Sequence, residues 1–143
     1  MKIIGTGSAH PTCAVTNQML EQFLETTDEW ITERTGIKER CVISSEHLED
    51  MAVHAANKAL EDAGLTAADI DFLICSNVVN EYVTPALSCI IQGKLGAKCP
   101  TVDINAACAG FIYAMDMADD KLKAGKAKNI LIVCAEEPSR MVS

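Results

Sequence analysis

Short β-forming runs that alternate with helical segments constrain the fold of this chain more than any other feature. Three such runs lie at 70–76, 101–104 and 129–135, and helical segments at 85–95 and 108–124 separate them. Strands and helices in this order form a parallel sheet with helices packed on its faces. The sequence therefore predicts an α/β fold with a mostly parallel sheet.

The first half of the chain predicts one long helix and several shorter elements. Small apolar residues recur on one face of the segment 48–63, and Gly64 follows it, so this segment predicts an amphipathic helix. The shorter elements expected are a strand at 1–7 whose Gly5 and Gly7 serve a tight turn, a helix at 17–24, a capped helix through 30–34, and a strand at 37–43 with Lys38, Glu39 and Arg40 exposed.

Cys108 stands at the junction between the run at 101–104 and the helix that follows it. Small residues surround this cysteine in the segment DINAACAGF. At a helix N-terminus, unpaired backbone N–H groups and the helix dipole favour the thiolate, which is the nucleophilic form of cysteine. The sequence therefore predicts an acyl-transfer nucleophile here, with a buried structural cysteine as the alternative.

The helix that begins at Cys108 is apolar nearly all round. Its first eleven residues, CAGFIYAMDMA, contain one charge, Asp116. Such a helix needs cover on more than one side, whereas one sheet covers only one side. We therefore expect this helix to be buried, and we expect the chain not to be a self-sufficient monomer.

Composition excludes several classes of function. The net charge of −8 gives no basic surface for nucleic acid, and no apolar run is long enough for membrane insertion. The seven cysteines include no C-x-x-C pair or Cys/His cluster, so no metal site is expected. Free thiols in this number favour a reducing, cytoplasmic location, with Cys75 and Cys134 as small core residues.

Several sequence blocks together resemble one family. They are KIIGTGS near the start, TTDEWITERTGIKER at 26–40, AANKALEDAGL at 55–65, DINAACAGFIYAM at 103–115 and NILIVCAEEPSR at 129–140. Over essentially all 143 residues the chain resembles the N-terminal half of β-ketoacyl-acyl carrier protein synthase III, a thiolase-like condensing enzyme. The resemblance implies that 1–143 is one half-domain of a five-layered αβαβα fold, with the C-terminal half absent from this chain.

The resemblance also implies an activity and a set of site residues. It implies an acyltransferase that condenses an acyl-CoA primer with malonyl-acyl carrier protein to start fatty acid synthesis, through an acyl group carried on Cys108. Trp30, Arg34 and Thr26 match positions that contact CoA. Thr84 matches a position in the acyl pocket that often carries phenylalanine, so we expect a wider pocket. The family implies a homodimer of the complete protein and no cofactor.

The sequence departs from the family pattern in its catalytic partners. The family uses a histidine and an asparagine from its second half, and none of His10, His47 and His54 lies in a matching motif. Since the loss of one oxyanion donor alone costs on the order of 10²–10³ in rate, we expect the isolated chain not to condense. The alternatives are a related thiolase-fold enzyme, such as a hydroxymethylglutaryl-CoA synthase or a secondary-metabolite ketosynthase, and a non-catalytic half that acts as a scaffold.

Overall fold

The computed structural model describes residues 1–140, except for the side chain of Arg140. In chain order the regular elements are β1 (Cys13–Thr16), α1 (Asn17–Leu20), α2 (Asp28–Thr35), β2 (Glu39–Val42), α3 (Leu48–Ala63), β3 (Phe72–Ser76), α4 (Leu87–Leu95), β4 (Thr101–Ile104), α5 (Gly110–Lys123) and β5 (Ile130–Cys134). Short 3₁₀ turns at Ala67–Asp69, Ala107–Ala109 and Pro138–Arg140 connect or follow them.

The main sheet has three parallel strands in the order β4-β3-β5. Ile74 of the central strand lies opposite Val102 on one side and Ile132 on the other. All three strands connect through helices, as parallel strands require. The predicted parallel sheet and its helix-covered architecture are therefore confirmed.

Both faces of the sheet are covered, and β3 contributes alternate residues to each. Leu73 faces a core shared with α3 and α4, where Leu87 and Ile91 are fully buried. Ile74 faces the opposite way, onto Ala114 and Ala118 of α5. This alternation follows from the two-residue repeat of a β-strand, and it explains why the β3 sequence is apolar throughout.

The helix α5 is buried on one face only. Ala114 and Ala118 pack on the sheet, whereas Phe111, Ile112 and Tyr113 are 46%, 62% and 57% exposed. The three-stranded sheet covers only one side of this helix, in agreement with the expectation that one sheet cannot cover it all round. Among residues 1–140, no further layer of structure covers the outer face of α5.

The predicted strand at 1–7 is absent from the structure, which assigns no strand to residues 1–11. This segment runs instead across α3, where Thr6 donates its backbone N–H to Asp62 at 2.9 Å. A β-carbon on Gly5 or Gly7 would overlap the α3 carbonyl oxygens of Ala59 and Ala55. The two glycines therefore serve close packing on a helix and not the expected tight turn. A groove of about 500 Å³ separates this segment from β5.

An antiparallel pair of strands, β1 and β2, lies outside the main sheet, with Cys13 opposite Val42. The strand β2 was expected, whereas β1 was not, and the expected helix at 17–24 ends at Leu20. Arg40 on β2 is half-buried instead of exposed, because its guanidinium donates a hydrogen bond to the carbonyl of Val15 at 3.1 Å. In the part of the chain that the structure describes, no helix is long and apolar enough to cross a membrane.

Candidate active site

Cys108 lies in the 3₁₀ turn Ala107–Ala109, which leads directly into α5. The sequence predicted one continuous helix from 108, and the structure differs only in the tighter geometry of this first turn. The Cys108 side chain is exposed. The structural alternative, a buried cysteine, is therefore wrong for this residue.

Two backbone features characterise the turn around Cys108. Ala107 has a φ of 45°, a left-handed conformation that non-glycine residues seldom adopt and that costs on the order of 1–3 kcal/mol. A β-carbon on Gly110 would overlap the hydroxyl oxygen of Ser76 at the end of β3. The small residues of the AACAG segment are thus explained by a sharp turn in direct contact with the sheet.

The carboxyl ends of the three parallel strands meet beside this turn. The Asn77 backbone N–H donates to the Ile104 carbonyl at 3.2 Å, and the Ala135 N–H donates to the Ser76 carbonyl at 3.1 Å. In parallel α/β sheets, this edge is where ligands bind. The exposed thiol therefore lies at the edge of the sheet that is suited to a substrate.

Asp103, just before the end of β4, ties this edge to the start of α4. Its carboxylate accepts backbone N–H groups from Leu87 at 2.9 Å and Ser88 at 2.8 Å, and the side-chain amide of Asn77 at 3.0 Å. A carboxylate in this position satisfies the unpaired N–H groups of a helix N-terminus. Sequence reasoning missed this contact, because Asp103 and α4 are neighbours only after the sheet has formed.

The seven cysteines differ in how accessible their sulfur atoms are. Cys75 and Cys99 are buried, and the other five are exposed. Burial, with the nearby Asp103 carboxylate, raises the pKa of Cys75 to about 12, and burial also raises the pKa of Cys99. The expected core position is confirmed for Cys75 and wrong for Cys134, which lies exposed at the end of β5, although partial burial and Glu136 raise its pKa.

The residues assigned to CoA lie on α2 and in the segment before it. The Arg34 guanidinium lies over the Trp30 ring, 4.4 Å from the ring centroid, and Trp30 is 52% exposed. The two residues are four apart, so they share one face of the helix. The structure thus brings together two of the three predicted CoA contacts.

Thr26, the third residue assigned to CoA, does not lie on the exposed face of α2 with Trp30 and Arg34. The N-cap of α2 is Thr27, whose hydroxyl accepts the Trp30 N–H at 3.1 Å, so Thr26 does not cap this helix. The Thr26 hydroxyl oxygen is buried and has no hydrogen-bond partner among residues 1–140. Its contact with CoA stays a prediction.

Thr84 lies in the loop between β3 and α4, and its peptide bond to Pro85 is cis. Thr84 is exposed, and its neighbour Val83 is fully exposed. Nearby, Glu136 accepts the Val78 N–H at 2.8 Å and so connects the start of this loop to the segment after β5. Burial raises the pKa of Glu136.

One group of potential metal ligands exists among the described residues. His47, Glu49 and Glu81 each place a ligand atom within 4.8 Å of the others. His47 and Glu81 are exposed, and Glu49 is also 3.6 Å from Lys94. We assign no metal site to this surface group.

Comparison with known proteins gives consistent matches. The family model of 3-oxoacyl-[acyl-carrier-protein] synthase III matches residues 102–143. The β-ketoacyl-[acyl-carrier-protein] synthase III of Clostridium perfringens strain SM101 is 48% identical over 143 residues, and that of Aquifex aeolicus is 46% identical over 142 residues. Each alignment covers 99% of this chain but only 44% and 46% of the relative, so the chain spans less than half the length of these curated relatives.

Solved structures agree with the sequence matches. The crystal structure of 3-oxoacyl-[acyl-carrier-protein] synthase III from Aquifex aeolicus superposes with a TM-score of 0.96 at 45% identity, covering 99% of this chain and 46% of that one. The priming β-ketosynthase from the R1128 polyketide pathway superposes with a TM-score of 0.92 at 36% identity, covering 96% and 42%. The predicted thiolase-like half-fold is therefore confirmed.

Proposed function

Because the chain corresponds over its whole length to the N-terminal part of the β-ketoacyl-[acyl-carrier-protein] synthase III family, we propose that it supplies the acyl-accepting half of such an enzyme. The observation that carries this proposal is the exposed Cys108 thiol, held by a small-residue turn at the carboxyl edge of the parallel sheet. The proposed activity is condensation of an acyl-CoA primer with malonyl-acyl carrier protein at the start of fatty acid synthesis.

In the first step, the Cys108 thiolate attacks the thioester carbonyl of acyl-CoA. A carbon–sulfur bond forms to Cys108, the bond between the acyl carbon and the CoA sulfur breaks, and CoA leaves as a thiolate that takes up a proton. The exposed position of Cys108 and the backbone N–H groups at the start of α5 suit this exchange.

CoA binding is proposed for the exposed face of α2, with Trp30 and Arg34 as its main contacts and Thr26 beside them. An indole offers a flat surface on which a purine stacks, and a guanidinium suits a phosphate. The 4.4 Å contact between the two side chains supports this proposal because it places both chemistries on one surface.

The condensation step is proposed to need groups outside these 143 residues, in agreement with the family's use of a second half-domain. His10 lies beside Cys41, His47 is the N-cap of α3, and His54 is exposed within α3, so all three belong to other parts of the fold than Cys108. A homodimer of the complete protein is part of the same proposal.

The test is transfer of an acetyl group from acetyl-CoA to the chain, followed by intact mass spectrometry and peptide mapping. We expect one acetyl group on Cys108, none in Cys108→Ser, and normal labelling in Cys89→Ser, a control at another exposed cysteine. If no acyl-CoA acylates the folded chain at any concentration, the non-catalytic scaffold is favoured.

The acyl pocket is proposed to include Thr84 and to accept longer or branched primers, because threonine is smaller than the phenylalanine often found at this position. The same acylation assay with acyl-CoAs of increasing length tests this. We expect Thr84→Phe to reduce labelling by the longer chains more than by acetyl-CoA. Equal length preference in both proteins would contradict the wider pocket.

A second candidate is a priming ketosynthase of secondary metabolism. The 0.92 TM-score to the R1128 priming β-ketosynthase supports it, although the identity of 36% is lower than that to the fatty-acid relatives. Condensation rates of the complete protein, measured with malonyl groups on carrier proteins from fatty acid synthesis and from polyketide synthesis, distinguish the two.

A further inference from the structure

The helix α2 presents the two proposed CoA contacts, yet apolar packing does not hold it in place. None of its eight residues, all described by the structure, is buried. Helices this short are unstable in isolation, so contacts with the rest of the protein must fix the position of α2. The caps at Thr27 and Gly36 define where the helix begins and ends, but they do not connect it to the core.

Asn17 provides this connection. Its side chain is fully buried, and its amide donates to the Asp28 carboxylate at 2.7 Å and to the Ile37 carbonyl at 2.8 Å. A longer contact of 3.4 Å reaches the Thr32 hydroxyl. One side chain thus contacts the first turn of α2, its middle, and the segment that follows it.

Arg40 completes this network from the β2 side. Its guanidinium donates to the side-chain oxygen of Asn17 at 2.5 Å and to the Val15 carbonyl at 3.1 Å. Asn17 therefore lies between the Asp28 carboxylate and the Arg40 guanidinium, as a donor to one and an acceptor from the other. A neutral amide can fill both roles, whereas an aspartate would place two carboxylates side by side.

The network and the proposed ligand surface occupy opposite faces of α2. Asp28 and Thr32 are four residues apart and share one face, with a hydrogen bond of 3.2 Å between their side chains. Trp30 and Arg34 are displaced from them by two residues, about 200° around the helix axis. A rotation of α2 about its axis would therefore move the Trp30–Arg34 pair, and the hydrogen bonds of Asn17 oppose this rotation.

We infer that Asn17 is a positioning residue that fixes the orientation of α2 and hence the geometry of the CoA contacts. This inference rests on the proposed binding of CoA by Trp30 and Arg34. Asn17 itself does not touch the ligand. It acts through Asp28 and through the backbone of Ile37.

The test uses the 143-residue chain, with CoA affinity measured by calorimetry. We expect Asn17→Ala and Asn17→Asp to weaken CoA binding about tenfold, the effect of about 1.4 kcal/mol. Trp30 is the only tryptophan, so its emission spectrum reports the orientation of α2 directly, and we expect it to shift in both variants. In the acylation assay, the variants should raise the acyl-CoA concentration for half-maximal rate while leaving the rate at saturation nearly unchanged.

Two controls separate positioning from loss of stability and from failure of the proposed function. Ile91→Val removes a methyl group from the fully buried core away from α2, so it should lower stability without changing CoA affinity or Trp30 emission. Arg34→Ala tests the CoA site itself. If Arg34→Ala has no effect on CoA affinity, the proposed binding site is wrong; if it has an effect and Asn17→Ala has none, only the positioning role is wrong.

A reciprocal variant keeps the test decisive if Asn17→Asp folds poorly. In Asn17→Asp combined with Asp28→Asn, the amide and the carboxylate exchange places, so the hydrogen bond between the two positions re-forms in the opposite direction. We expect the double variant to recover part of the lost CoA affinity and of the Trp30 emission. Losses that simply add in the double variant would overturn the inference.

Discussion

The hydroxyl oxygen of Ser76 fills the space that a β-carbon on Gly110 would need. The end of the central strand and the start of α5 are therefore in direct contact, one turn of chain away from Cys108.

This contact predicts the effect of Gly110→Ala. The added methyl group must displace Ser76 or the helix, so we expect a loss of about 1–3 kcal/mol in stability and slower acylation of Cys108. Gly93→Ala is the matched control, because Gly93 lies within α4 with open space around it, and it should be neutral or stabilising by about 0.5–1 kcal/mol. Urea unfolding and the acetylation assay measure both; a Gly110→Ala protein as stable and reactive as the parent would contradict the contact.

Alkylation should distinguish Cys108 from the other cysteines. Under limiting iodoacetamide we expect Cys108 to be labelled first and Cys75 last, because Cys75 is buried and its pKa is raised to about 12. Peptide mapping at short reaction times gives the order. Labelling of the exposed Cys13 or Cys41 well ahead of Cys108 in the folded chain would remove the basis for the nucleophile assignment.

The exposed apolar residues of α5 should cause the isolated chain to self-associate. Phe111, Ile112 and Tyr113 are exposed around the first turn of α5, and each large side chain left in water forgoes about 1.5–3 kcal/mol of burial. We expect the chain to bind a hydrophobic dye and to self-associate, as measured by fluorescence and by light scattering after size exclusion. Ile112→Ser should reduce both, whereas Val83→Ser, at a fully exposed position in the loop before α4, should not. A soluble monomer without dye binding would contradict this prediction.

Acid should weaken the connection between β3 and β5 through Asp71. This carboxylate accepts backbone N–H groups from Lys128 at 2.7 Å and Asn129 at 3.0 Å, and these bonds lower its pKa below the ordinary 3.8. Since the folded-state pKa is the lower one, the stabilisation is present above the unfolded-state pKa and is lost as the pH falls through the folded-state value. Thermal unfolding is measured between about pH 6 and about pH 2.5, a range that brackets the ordinary carboxyl pKa. We expect the unfolding temperature to fall less on acidification in Asp71→Asn than in the parent. Asp120→Asn, on the exposed side of α5, should leave the drop unchanged.

Sequence periodicity predicted those elements that are defined by local signals within their own residues. The helix α3 was predicted with its observed bounds, because its apolar stripe and Gly64 are both local signals. The strand β4 and the position of Cys108 between this strand and a helix were likewise found from local pattern. The resemblance to a known family added the fold of the half-domain, which no single periodic segment shows.

The remaining features depend on contacts between distant segments. The glycines of the first seven residues looked like a turn because their contact with α3 is formed only in three dimensions. Asn17 is an ordinary polar residue in sequence, and only its burial between α2 and β2 shows its importance.

A helix held by hydrogen bonds instead of apolar burial should also open more readily than its neighbours. Local opening costs least where few apolar contacts are lost, so the backbone amides of α2 should exchange with deuterium faster than those of α3, which buries Leu48, Ala52, Ala56 and Leu60. Hydrogen exchange measured by mass spectrometry would show this difference, and CoA should slow the exchange of α2 selectively. In that case the helix that carries Trp30 and Arg34 is also the mobile part of the binding surface, and its opening would set how fast the nucleotide is released.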